Sequence, residues 1–146
     1  MSLLEREAPG LDRKLESLSP GARRRVLANA CIQVSERLAT TDHRIGELLA
    51  TLRSQRQLSQ QQARTALSLS AEADDEYLTL QGQGAALAEY SRPFSLARFL
   101  RAMAVAFGAA PGEGAADAVY ELTKTQDDPA EIVRFIESDI ESELRS

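Results

Sequence analysis

The chain is sparing in the residue types that carry enzyme chemistry: among 146 residues it has one histidine (His43), one cysteine (Cys31) and no tryptophan. A lone cysteine cannot close an intramolecular disulfide. Cys31 falls in an apolar helical stripe, so a buried thiol in a reducing compartment is expected. A lone histidine cannot complete a multi-histidine metal site. With Glu47 four residues on, His43 offers two ligands at most, and carboxylate di-metal bundles, which need a Glu-x-x-His on each of two helices, are excluded. A catalytic triad would also have to use His43, which reads instead as a surface imidazole beside Asp42 and Glu47. The one glycine-rich stretch, Gly108 to Gly114, lacks the Lys-Ser/Thr ending of a phosphate loop and reads as a connector. No apolar run approaches the ~18 residues of a membrane span. The opening Met-Ser-Leu-Leu-Glu-Arg-Glu is acidic where a signal peptide is basic, so a cytoplasmic protein is expected. No catalytic, metal or cofactor residue is assigned.

What is present is a succession of helix formers, chiefly Leu, Ala, Arg, Glu and Gln. The length suits one domain with one complete core. The expected fold is all-α, a single-domain bundle of about six helices over residues 1–146, mostly antiparallel neighbours, with residues 1–10 a loosely held arm. Ser19-Pro20 signals a helix start, and Leu27, Cys31, Val34 and Leu38 fall on one face of that helix to about Ala39. Thr40-Thr41-Asp42 offers the next cap, before an apolar face of Ile45, Leu48, Leu49 and Leu52. Ser59 with Gln62 forms a capping box that starts another helix at Gln60. An unbroken seven-residue register from Ile45 to Leu87 supports a competing single long helix, and a break near Gln57–Ser59 is favoured. Ser91-Arg92-Pro93 is expected to stop the helical pattern. Ser95 then caps a central core helix lined by Leu96, Phe99, Leu100, Met103 and Phe107. Ala115 to Lys124 buries Ala116, Val119, Tyr120 and Leu122, and Asp128-Pro129 starts a last helix on Val133, Ile136, Ile140 and Leu144, with Glu131 at the capping-box position.

The net charge of −5 conceals a split. Residues 1–73 hold 11 basic and 8 acidic residues, whereas residues 74–146 hold 6 and 14. Glu72 to Glu76 place four acids in five residues, and Asp127, Asp128 and Glu131 lead into a second field of Glu137, Asp139, Glu141 and Glu143. Dense carboxylate runs suit a solvated docking face better than acid-base catalysis, which needs pKa values separated in an apolar cleft. The expected partner-binding residues are Asp74, Asp75, Glu76, Asp127, Asp128 and Glu131, facing a basic protein. Homodimerisation through residues 42–90 is left open.

Two resemblances bear on function. Leu52 to Ala63, with its Leu58-Ser59-Gln60 and the flanking Arg53, Arg56 and Arg64, resembles the first part of a phage-repressor-type helix-turn-helix. That likeness implies a DNA-binding transcriptional regulator. It requires a turn after Ala66-Leu67, where the chain supplies Ser68-Leu69-Ser70 and then carboxylates that would face phosphates, so nucleic acid is the lesser alternative. Leu15-Glu16-Ser17-Leu18 leading into the alanine-rich Arg24 to Leu38 helix, and Ala115 to Tyr120 followed by Asp127-Asp128-Pro129, resemble small acidic all-helical immunity proteins that neutralise bacterial toxins. That resemblance implies a non-catalytic inhibitor whose acidic half covers a toxin's basic active-site cleft and imitates its phosphate-bearing substrate.

Overall fold

Local side-chain hydrogen bonds set where four of the helices begin. In the computed structural model, which describes residues 3–38, 40–108, 114–125 and 128–145, the Ser19 hydroxyl accepts from the Ala22 N–H at 3.2 Å. The Asp42 carboxylate accepts from the Arg44 N–H at 2.8 Å. Ser59 and Gln62 complete the reciprocal capping box at 3.1 Å in both directions. Asp128 accepts from the Ala130 N–H at 3.1 Å. Each bond satisfies a first-turn donor that the helix itself cannot. The described residues form eight helices: α1 (Leu3–Glu7), α2 (Leu11–Glu16), α3 (Pro20–Leu38), α4 (His43–Gln55), α5 (Gln60–Gly82), α6 (Leu87–Ala106), α7 (Ala115–Thr123) and α8 (Pro129–Leu144). No strand occurs among them. The all-α class stands, with eight helices in place of about six.

Neighbouring helices run antiparallel where cross-links fix their direction. Along α3 and α8, Arg25 meets Glu143, Asn29 meets Asp139 and Arg37 meets Glu131. Along α5 and α6, the buried Ser70 hydroxyl donates to the Ala97 carbonyl at 3.0 Å, and Tyr77 packs on Phe94 and then Tyr90. Gln62 donates to Thr51 and Arg44 reaches Glu72, so α4 also opposes α5. Small residues line the buried face of α5 (Ala63, Ala66, Ser70, Ala73) and let its backbone approach α6 closely. Helix α6 sits at the centre, packed against α3, α5 and α7, with Phe99, Leu100 and Met103 fully buried. Phe107 is buried at its end, and Leu96 is half-buried.

Four expectations are corrected. First, the described part of the opening segment packs on the body: α1 places Leu4 in the core, and Ala8 and Leu11 follow it there. Burial of these side chains offsets the ordering cost of a short helix. Second, Pro93 does not stop a helix, and Ser95 is not a cap; both lie inside α6, which starts at Leu87 after Ala86. Proline forfeits one ladder bond to the Glu89 carbonyl, a cost of about 3 kcal/mol. Packing of Tyr90 and Phe94 on Tyr77 upstream, and the buried Ala97 to Leu100 turn downstream, carry the helix through. Third, the inner stripe of α8 is Ile132, Ile136 and Ile140, with Val133 half-buried and Leu144 60% exposed. Steps of four residues rotate by about 40° in an α-helix, so a stripe centred on Ile136 has turned Leu144 out to solvent. Fourth, on α7 Val119 and Leu122 are buried with Ala118, whereas Ala116 and Tyr120 are only half-buried.

The break between α4 and α5 falls where expected. Arg56 adopts a left-handed conformation (φ 54°), ending α4, and Ser59 opens α5, so the single long helix does not form. Most of the expected connector Gly108 to Gly114 lies outside the described residues.

Candidate functional site

Beyond the globular core, α5 and α6 continue as a paired hairpin. From Asp74 to Arg92 not one residue is buried, whereas the preceding turns of α5 and the following turns of α6 carry core side chains. Helix α4 covers α5 only as far as the Arg44–Glu72 pair, and α3 reaches α6 through Arg92, whose guanidinium donates to the Leu38 carbonyl at 3.3 Å. The remaining turns project as an arm whose two helices touch chiefly each other.

Three of the chain's seven aromatic residues hold the arm together. Tyr77 meets Tyr90 edge-on at 5.7 Å between ring centroids and lies 5.2 Å from Phe94. At the foot, the Arg98 guanidinium stands 5.7 Å from the Phe94 ring centre, bonds Asp74 on α5 at 3.1 Å and reaches Glu121 on α7 at 3.3 Å. This one side chain ties both arm helices to the body. The arm exposes Leu78 (59%) and Leu87 (68%), two of the three large hydrophobic side chains exposed among the described residues. Asp75, Glu76 and Glu89 are also exposed, Glu76 and Glu89 on the opposite face of the arm from the two leucines. Asp75 and Leu78 stand three residues apart, on one face of α5.

The six expected docking carboxylates therefore divide. Asp75 and Glu76 lie on the arm without an ion-pair partner among the described residues, while the neighbouring Asp74 is neutralised by Arg98. Asp127 lies outside the described residues. Asp128 caps α8 and lies 3.9 Å from Arg134, and Glu131 pairs with Arg37 instead of closing a capping box. The rest of the second acidic field continues this seam: Glu137 takes Lys14 at 2.7 Å, Asp139 takes the Asn29 amide at 3.0 Å, and Glu143 takes Arg25 at 2.8 Å. The hydrogen bond from Arg25 holds the Glu143 carboxyl below its ordinary range, and Glu137 raises Lys14. The split in charge along the sequence is thus largely met within the fold, because the basic first half packs against the acidic last helix. Exposed pairs of this kind set orientation more than they stabilise.

The remaining candidates are placed as follows. His43 is 87% exposed, 3.0 Å from Glu47. Cys31 is buried, and burial pushes its thiol up to about 12. Among the described residues no group of three or more His, Cys, Asp or Glu could hold a metal ion, and no helix is long and apolar enough to cross a membrane. The helix-turn-helix likeness stops at its first turn: α5 runs uninterrupted through Ser68-Leu69-Ser70, where a second turn is required. Arg53 and Arg64 are exposed, and the Arg56 guanidinium folds back on the carbonyls of Leu52, at 3.0 Å, and Arg53. Sequence reasoning missed Tyr90, Leu87 and Arg98: a helix taken to stop at Pro93 cannot place the first two opposite α5, and Arg98 is marked only by its distant partners Asp74 and Glu121.

Comparison with known proteins returned no match to any family model, curated protein or solved structure.

Proposed function

We propose that the chain is a non-catalytic protein-binding module whose projecting α5–α6 arm docks on a basic protein surface. The observation that carries this reading is the arm itself. Asp74 to Arg92 gain no core burial, yet they present two exposed leucines with the unpaired Asp75 beside Leu78. An apolar centre with a charged rim is the usual make-up of a docking patch, and the carboxylates favour and steer a cationic counterpart. The finer form of the reading is an immunity-type inhibitor, in which Asp75, Glu76 and Glu89 enter the basic active-site cleft of a toxin. It draws on the resemblance in the Leu15 to Leu38 and Ala115 to Pro129 segments. Of the acidic residues expected to dock, this reading keeps those of the arm and sets aside those of the last helix, whose carboxylates face Arg25, Asn29 and Arg37.

Affinity capture from native lysate tests this, comparing wild type, an arm variant (Asp75→Lys with Leu78→Ser) and an α8 variant (Glu141→Lys) at low and high salt. The expected result is a basic protein retained by wild type and Glu141→Lys, released by salt and lost with the arm variant. Retention by the arm variant would overturn the proposal.

A further inference from the structure

At the end of the α5–α6 pair away from the arm, the electrostatics reverse. The start of α3 and the turn between α4 and α5 enclose a hollow of about 270 Å³ bordered by Arg24, Arg25 and Arg56, with Ser54, Gln55 and Gln57 completing its rim. No carboxylate lines it, although the chain as a whole carries −5. Arg24 also walls a neighbouring hollow of about 350 Å³ that includes Arg23, Leu27, Leu58 and Phe107.

Two of these cations are fixed without being neutralised. Arg23 donates to the carbonyls of Leu15, Glu16 and Leu18 at 3.0 to 3.3 Å, and Arg56 to those of Leu52 and Arg53. A carbonyl holds a guanidinium in place but leaves its full charge, so these positions are preorganised for an anion. Arg25 is matched by Glu143, whereas Arg24 has no carboxylate within ion-pair distance among the described residues.

Resting on the arm as a docking surface, we propose that its partner includes a second copy of this chain, the arm of one molecule seating against the arginine-bordered hollows of another. The surfaces match in kind: Asp75 faces Arg24 and Arg56, and Leu78 and Leu87, on the same face of the arm, meet the hollow that holds Leu27 and Leu58. The contact must be intermolecular. The 23 residues of α5 span about 34 Å, with the hollows beside its first turn and the arm at its last. Two copies lying antiparallel make the contact twice and close the assembly.

Sedimentation of the full chain over a range of concentration and salt tests this. Wild type should form a species heavier than the monomer that dissociates as salt rises. Arg24→Glu and Asp75→Arg should each weaken association about tenfold or more, because each opposes like charges. An equimolar mixture of the two variants should recover it, since the acidic arm of Arg24→Glu then meets the basic hollow of Asp75→Arg, and the basic arm of Asp75→Arg meets the acidic hollow of Arg24→Glu. A monomeric wild type at low salt, or a mixture no tighter than either variant alone, would overturn self-docking. The lysate capture decides the arm's role toward a foreign protein separately, because it reads the identity of what is retained.

Discussion

Replacing Phe99 with alanine separates the core from the arm. Phe99 is wholly buried on the helix packed against α3, α5 and α7, so no neighbour can collapse into the space without disturbing three interfaces. Truncation of a fully enclosed phenylalanine costs about 3–5 kcal/mol, a large share of the roughly 5–15 kcal/mol that holds a domain together. At about 2–4 °C per kcal/mol for a chain of this size, the melting midpoint should fall by roughly 10 °C. Leu78→Ser is the matched control. Its side chain is 59% exposed on the arm, and the change should stay within about 0.5 kcal/mol. Because the chain has no tryptophan, helical circular dichroism during urea titration is the assay. A Phe99→Ala effect below about 1 kcal/mol would place the core elsewhere. A Leu78→Ser loss of several kcal/mol would mean that the arm packs on the body, which removes the basis for docking.

Three further predictions follow from local features. Hydrogen bonds from Arg44 and Arg25 hold the Asp42 and Glu143 carboxyls below their ordinary range, so the unfolded chain takes up these protons first. Their contribution to stability is complete above about pH 5.5 and is lost progressively as pH falls through the ordinary carboxylate range to the folded values; urea midpoints across pH should show this decline, flattened by Arg25→Met. Ser59→Ala removes the cap from α5 and should cost about 1 kcal/mol in thermal unfolding; no loss would mean the capping box is dispensable. Burial and a thiol pushed up to about 12 should leave Cys31 inert to a thiol reagent at neutral pH until denaturant is added, and fast reaction of the native protein would refute its burial.

Much of the helical order was legible because its signals are short-ranged. The caps at Ser19, Asp42, Ser59 and Asp128 bond donors two or three residues away, so a window of a few residues contains the whole interaction. The stripes Val26 to Val34 and Ile45 to Leu52 were read from spacing alone, and both are buried. The sequence misled where a local rule met a distant partner. Pro93 carries a strong stop signal, yet Tyr77 on another helix supplies the packing that overrides it. The acidic ending likewise reads as an external docking field until Arg25, Asn29 and Arg37, 94 to 118 residues earlier, are laid against it.

The sequence by itself determined that this chain is all-helical, where most of its helices start, and that its carboxylates cluster, because caps, periodicity and charge runs are properties of neighbouring residues. Only the tertiary structure decided that α6 runs through Pro93, that α8 spends its carboxylates on α3, and that Asp75, Glu76, Leu78 and Leu87 stand together on an arm clear of the core. Those outcomes depend on which faces meet across about a hundred residues of chain, and packing energy, not local preference, makes that choice.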